Sequence, residues 1–349
     1  MKKIRVAAVG LGWVTTHRHI PTMLENPKYE LLGVIDRKPG RAKEFASRFR
    51  LKYFHEGNSL ANIPWLSDVD ALTIGTSPQT HYSFVRSALN LGKHVLTEKP
   101  FTMTVSEGEE LVRLAASKNL ILAVVHNFQF ASSTRKLLKD MELGKFGKIH
   151  SLVVTQLSNP KRRLPVWYEE LPMGLFYDES PHFFYLLTRL APGPLRILDY
   201  QVYANQKGMN TPAAVNAHYF SEPPNGEKIP VMLHLNFEAT LSEWHVTVYG
   251  EKAMGDIDIF RDIYIHLPND GLHTSATVIR TSLFATLQHW TQHFTSGFKH
   301  IAGRLRFGND IVFDQFAEAV FSGLPPKGMN AMDALTVLKM QHEILQSHG

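Results

Sequence analysis

Ile4-Arg5-Val6-Ala7-Ala8-Val9-Gly10-Leu11-Gly12-Trp13-Val14-Thr15 is the stretch that decides the fold. Its first six residues form a short apolar run broken only by Arg5, which reads as a buried strand. Gly10 and Gly12 follow at once. Residues 16–25 have helical character, with Pro21 weakening the middle or marking a break. Residues 29–35 read as the next strand, and Asp36 closes it. Strand, glycine loop, helix and strand, with an acid roughly 20 residues beyond the glycines, is the setting in which a G-x-G-x-x-G/A pattern carries meaning. Gly10 permits the tight turn, and Gly12 leaves room for a pyrophosphate. The helix start at Trp13 and Val14 offers N–H groups and positive dipole to that phosphate. Asp36 is placed to accept hydrogen bonds from ribose hydroxyls, which favours NAD. Arg37 and Lys38 stand beside it and leave NADP open. Thr15 occupies the third glycine position, so helix and strand are expected to pack further apart there.

The alternation continues outward from this unit. Residues 41–49, 83–91 and 105–118 have helical periodicity. Residues 71–75, 93–97 and 121–125 are short apolar strands. Strands alternating with helices predict a doubly wound parallel sheet. Thr76-Ser77-Pro78 ends one strand and His81 opens the next helix, at an edge suited to a cofactor. Glu98-Lys99-Pro100 ends another strand, which aims a lysine at the crevice where such sheets bind ligands.

Beyond residue 125 the pattern changes. A basic helix over 136–144 is followed by strands at 149–157, 195–203, 213–219, 231–239, 243–249, 254–259 and 262–267. Successive strands without helices between them predict an antiparallel one-layer sheet. The expected architecture is therefore an α/β Rossmann domain over residues 1–125 and an α+β domain over 126–349 with a large, mostly antiparallel open sheet. In the second domain Asp178-Glu179-Ser180-Pro181-His182 leads into a helix, with Pro181 in its first turn. Asp178 and His182 are four residues apart and share a helix face. A carboxylate there can orient a histidine and support its charged form. A helix cap beside an unrelated histidine is the plainer alternative.

The 349 residues suggest two domains, and 44% hydrophobic with 20% charged residues is ordinary for a globular chain. The net charge of +5 is scattered, and Lys161-Arg162-Arg163 is too short a cluster to argue for nucleic acid. With no cysteine, disulfides, thiolate catalysis and zinc–thiolate sites are excluded. Of the 18 histidines, His17 and His19, His126, and His289 and His293 lack a convincing third ligand, so no metal is expected. Met1-Lys2-Lys3 runs straight into a strand, and no apolar window is long enough to span a bilayer, so a cytoplasmic protein is expected. Residues 282–301 carry Phe284, Leu287, Trp290, Phe294, Phe298 and Ile301 at helical spacing. They read as an amphipathic helix that caps the second domain or builds a subunit contact. A membrane-surface helix is the alternative, which its few lysines count against.

The glycine loop, Thr76-Ser77-Pro78 with His81, the lead-in Gly92-Lys93-His94-Val95, Glu98-Lys99-Pro100, Asp178 and His182, Gly144 with Gly147-Lys148-Ile149, and Phe307-Gly308-Asn309-Asp310 occur in one order along the chain. In that order they resemble the Gfo/Idh/MocA family of oxidoreductases. The resemblance implies an NAD(P)-dependent enzyme acting on a secondary alcohol or ketone of a sugar, sugar derivative or cyclitol. It implies that Lys99, with Glu98 beside it, meets both nicotinamide and substrate through a Lys99–Pro100 bond that is often cis. It also implies that Asp178 and His182 complete the chemistry, either Lys99 or His182 serving as base. Asn127, Arg163 and Trp167 would line the substrate pocket, and the basic loop suits a phosphorylated or nucleotide-linked sugar, a plain solvated loop being the alternative. A homodimer or homotetramer is implied as well. Ser180 and Tyr185 depart from the usual D-x-G-x-H-x-x-D. Phe128-Gln129-Phe130 stands where aromatic–Arg–Phe is common. A redox-neutral glycoside-cleaving enzyme and a non-catalytic NAD-sensing regulator are the alternatives within the same family.

Overall fold

The structure, a computed structural model, describes residues 3–345. The chain divides into two units. The first comprises residues up to Asn127 together with Gly308–His342. Its six strands are β1 (Ile4–Val9), β2 (Tyr29–Asp36), β3 (Tyr53–Glu56), β4 (Ala71–Ile74), β5 (His94–Thr97) and β6 (Leu122–Val124). They form one parallel sheet in the order β3-β2-β1-β4-β5-β6. The order reverses between β1 and β4, and the carboxyl ends of those two strands frame the switch point. Near-complete burial of β1, β2 and β4 explains their apolar composition.

The helix after the glycine loop begins at Trp13, passes through a π turn at Thr15–His19 and continues as α1 (Ile20–Glu25). Pro21 is the physical reason. It has no N–H for the carbonyl of His17, and the helix widens so that the Ile20 N–H bonds Thr15 instead. The remaining helices here are α2 (Arg41–Phe49), α3 (His81–Asn90) and α4 (Val105–Ser117), the last opened by a Thr104–Glu107 capping box.

The expected boundary at 125, with everything later in the second domain, is corrected. Two C-terminal helices belong largely to the first unit. Numbered after those of the second unit, they are α9 (Asn309–Ser322) and α10 (Ala331–Leu345). Ala331, Ala334, Leu335 and Leu338 enter the same core as Leu72, Val85, Leu111 and Val124. Phe313 packs edge-on to Tyr29 and His19. Their amphipathic faces fit the Rossmann unit, a tertiary fact with no local sequence signal.

The second unit holds α5 (Ser132–Glu142), β7 (Ile149–Leu157), α6 (Leu175–Leu190), β8 (Leu195–Tyr203), β9 (Ala214–Ser221), β10 (Ile229–Asn236), β11 (Glu243–Gly250), β12 (Ala253–Asp258), β13 (Ile263–Pro268), α7 (Ser275–Gln292) and α8 (Phe298–Ile301). The sheet order is β13-β12-β11-β7-β10-β9-β8. All pairs are antiparallel except β7 with β10. Period-2 burial, as at Val231, Leu233 and Leu235, gives the sheet one apolar face. On that face lies α6, with Phe183 against Trp244 at 5.0 Å and Phe184 against Tyr219 at 6.3 Å between ring centroids.

Two expectations change here. The helix carrying Asp178 and His182 starts at Leu175, so Pro181 lies inside it rather than in its first turn. Burial of Phe176, Tyr177, Phe183 and Phe184 outweighs the proline penalty. The segment read as a cap over the second domain covers its edge strand β13 through Gln288 and Gln292, but α7 buries none of its residues. Among the described residues, no helix is long and apolar enough to cross a membrane.

Candidate active site

Gly10 sits at φ +82°, and a Cβ there would come within 2.7 Å of Thr76 Cγ2 and 2.9 Å of the Gly75 carbonyl. The turn after β1 and the turn after β4 therefore touch, which is why only glycine fits. Gly12 differs. A Cβ there would meet nothing nearer than the Gly75 carbonyl at 3.7 Å. Packing within the chain does not require this glycine, whereas close approach of a diphosphate would. The carbonyl of Gly12 accepts the N–H of Thr16. The amides of Trp13 and Val14 thus precede the first helical bond, at the positive end of the helix. These features fit a dinucleotide.

Thr15 does not push helix and strand apart as expected. Gly75, at the end of β4, makes the room: a Cβ on Gly75 would fall 2.2 Å from Thr15 Oγ1. The glycine missing from the loop has its counterpart on the facing strand.

Asp36 is buried, and its carboxylate already works inside the protein. One oxygen accepts the Leu11 N–H at 2.6 Å and the other the Lys38 N–H at 2.8 Å. It thereby pins the glycine loop to the end of β2. Arg37 and Lys38 are exposed beside it, and Arg41 lies 3.5 Å from its carboxylate. Trp13 stacks on His17 at 5.0 Å, on the outside of the helix. Thr76 accepts from the Thr80 hydroxyl at 2.8 Å, and Ser77 precedes the short helical turn that begins at Pro78 without a side-chain hydrogen bond to it.

Lys99 follows β5, the strand next to β4, and its peptide bond to Pro100 is cis. Two buried histidines flank it. His19 places Nε2 2.8 Å from Glu98 Oε1 and Nδ1 3.0 Å from the Thr73 hydroxyl. The other oxygen of Glu98 accepts the Lys99 N–H at 3.2 Å. Burial opposes the charge on Glu98. The His19 hydrogen bond and the charges of His19, Lys99 and His81 offset this and hold its carboxyl below the usual carboxylate range. His81, expected to touch a cofactor, is fully buried, and burial keeps its pKa below the ordinary imidazole value. Its ring faces the Pro100 carbonyl at 2.7 Å and the Thr76 carbonyl at 3.2 Å, so it braces the turn around Lys99. In the sequence His19 stands out only as a candidate metal ligand. The π turn that carries it inward has no signal beyond Pro21. Asn127, at the end of this unit, is buried.

Asp178 and His182 lie one turn apart on α6 and keep 8% of their surface each, whereas Phe183, Phe184 and Leu186 keep none. Phe128 packs edge-on to the His182 ring at 4.8 Å, with Trp244 at 5.7 Å. Tyr185 brings its hydroxyl 2.8 Å from His182 Nδ1 and accepts the Phe128 N–H at 3.0 Å. The tyrosine that replaces the family's last acid therefore holds the histidine. Neighbouring Glu179 pairs with Arg162 and accepts from Gln156 at 2.5 Å, which ties the basic loop to α6. Arg162, and not the expected Arg163, makes that tie. Arg163 itself is exposed, and Trp167 is half-buried in the same loop. Among the described residues, Glu243, His245 and Asp258 alone cluster like metal ligands, and Arg261 already pairs with both carboxylates at 2.5 Å.

Residues 4–126 match the model of an oxidoreductase family with an NAD-binding Rossmann fold, GFO_IDH_MocA. This stretch belongs to the Gfo/Idh/MocA family. Among curated relatives, the dTDP-3,4-didehydro-2,6-dideoxy-α-D-glucose 3-reductase of Saccharopolyspora spinosa is 29% identical over 200 residues, 56% of this chain and 59% of the relative. The chain spans about half the length of the curated relatives it matches. Two solved structures match over nearly the whole chain. The WlbA dehydrogenase of Bordetella pertussis, in complex with NADH and UDP-GlcNAcA, has a TM-score of 0.75 at 17% identity, covering 99% of this chain and 96% of that one. A 3-ketoreductase of Actinomadura kijaniata, in complex with TDP-benzene and NADP, has a TM-score of 0.70 at 19% identity, covering 98% and 96%. At such identities the likeness shows the fold alone, in both units.

Proposed function

We propose that the chain is an NAD(P)-dependent oxidoreductase that moves a hydride between the nicotinamide and a secondary alcohol or ketone of a nucleotide-linked sugar. The observation that carries the reading is the fixed setting of Lys99. It follows the strand beside the switch point, and Glu98–His19 on one side and Pro100–His81 on the other hold its backbone. Bound nicotinamide supplies the two-electron chemistry. Lys99 donates a hydrogen bond to the reacting oxygen and disperses its charge as the carbonyl forms. His182 takes the hydroxyl proton during oxidation and returns it during reduction. Tyr185 sets its ring, and Asp178, one turn away, favours its cation. The nucleotide-linked class is supported by the names of the relatives and by the basic loop that Arg162 ties to α6, with the exposed Arg163 and the half-buried Trp167 as its recognition groups. The exposed Arg37 and Lys38 keep both NAD and NADP in the proposal.

A panel of dTDP- and UDP-sugars, incubated with NAD or NADP, tests the reading. The expected result is net formation of reduced nicotinamide with at least one member. Turnover of a glycoside without net reduction contradicts it and points to the redox-neutral alternative.

A further inference from the structure

The outward ridge of α7 has no role in the proposed chemistry, and it is built the wrong way round for a surface helix. Its polar side faces the protein. Gln288 brackets His266 of the edge strand β13, accepting its N–H at 2.9 Å and donating to its carbonyl at 2.9 Å. Gln292 does the same for Tyr264, at 3.0 and 2.6 Å. The two amides thus satisfy an edge that would otherwise pair with another strand. The opposite side carries Ile279, Leu283, Leu287, Trp290, Phe294 and Phe298, at intervals of three or four residues. Leu283 is 65% exposed, Trp290 62% and Phe298 67%. Ordinary side-chain areas put this ridge near ~1,000 Å², against ~300–600 Å² for the largest patch of a typical monomer. From Ile279 to the exposed Ile301 it runs about 30 Å.

The charge along the segment that carries the ridge has one sign. No aspartate or glutamate occurs between Asp270 and Asp310. Arg280 near the start of the ridge, and Lys299 and Arg304 near its end, are exposed. A second copy packed on this ridge about a two-fold axis would bring these cations together without a counter-charge. An aromatic, aliphatic ridge with only cations at its margins is complementary to a bilayer surface rich in anionic lipid.

We propose that α7 docks the protein on an anionic membrane surface, lying in the interface plane with its apolar ridge among the acyl chains. The full chain, sedimented with phosphatidylcholine vesicles with or without about 30% phosphatidylglycerol, provides the test. Binding is expected to the phosphatidylglycerol vesicles, to weaken as salt is raised, and to fall more than about tenfold in Leu287→Glu/Phe294→Glu. Arg280→Glu/Lys299→Glu is expected to weaken binding to the anionic vesicles only. It keeps the test open should the ridge variant fail to fold, as judged by circular dichroism. Absence of binding by the unaltered chain, or binding indifferent to both pairs of substitutions, overturns the proposal. A ridge variant whose mass in solution drops by half also overturns it, because a second copy would then cover the ridge.

Discussion

The surroundings of Lys99 and of His182 solve one problem in different ways. Lys99 is held through its backbone. Strand β5 delivers it, Glu98 takes its N–H, and His81 faces the carbonyl of the next residue. His182 is held through its ring, by the Tyr185 hydroxyl and the faces and edges of Phe128 and Trp244. Parallel-strand ends fix the main chain within narrow limits, so neighbouring side chains need only brace it. A helix face fixes the direction of a side chain but not its ring orientation, which must come from partners distant in sequence. The Lys99 setting should therefore fail all at once when a brace is removed, and the His182 setting by degrees.

Four experiments sharpen or break this contrast. Lys99→Ala is expected to lower kcat by about 10²–10⁴-fold while NAD affinity changes less than about threefold, as read by steady-state kinetics and cofactor fluorescence. Near-native turnover would remove Lys99 from the chemistry. His19→Ala leaves the buried Glu98 carboxylate without its main partner and is expected to cost about 3 kcal/mol in urea unfolding. Loss below about 0.5 kcal/mol would show that Glu98 does not depend on it.

The third concerns His126, buried at the end of β6 and facing the Gly328 carbonyl. Burial lowers its pKa from 6.5 to about 4. Between these values the unfolded chain binds a proton that the folded chain does not, so this contribution is complete above pH 6.5 and shrinks as pH falls toward 4. About 2 kcal/mol of stability is expected to disappear between pH 6.5 and pH 5, and His126→Asn should flatten that slope. An unchanged slope in the variant would assign the effect elsewhere. Tyr185→Phe has the smallest effect. It removes the hydrogen bond to His182 and the acceptor of the Phe128 N–H while the aromatic packing remains, so kcat should fall about threefold to tenfold and the pH profile should move. A loss as large as that of Lys99→Ala would mean that the two settings are equally brittle.

The Rossmann half was legible because its signals are local. Gly10, Gly12, Asp36 and Glu98-Lys99-Pro100 sit at strand ends, where backbone geometry dictates residue type. The strands of the second sheet were legible from period-2 alternation to within a few residues. Only the parallel pairing of β7 with β10 escaped, since pairing partners leave no mark on either strand. Four-residue β3 is too short for periodicity to register. The return of α9 and α10 to the first unit, the Thr15–Gly75 exchange of size, and the roles of His19, His81, Tyr185 and Arg162 all depend on contacts between distant segments. Asp178 and His182 stand out by their spacing, although their helix begins a turn earlier than Pro181 suggested.

Transfer of deuterium from 4-deuterated NADH or NADPH to a keto nucleotide-sugar, read by mass spectrometry of the sugar, tests the central claim most directly. The expected result is a one-dalton gain at a carbinol carbon with the unaltered chain, and a gain slowed at least about a hundredfold in Lys99→Ala. Bound cofactor that gives no deuterium to any keto nucleotide-sugar, or equal transfer by the Lys99→Ala variant, would contradict it.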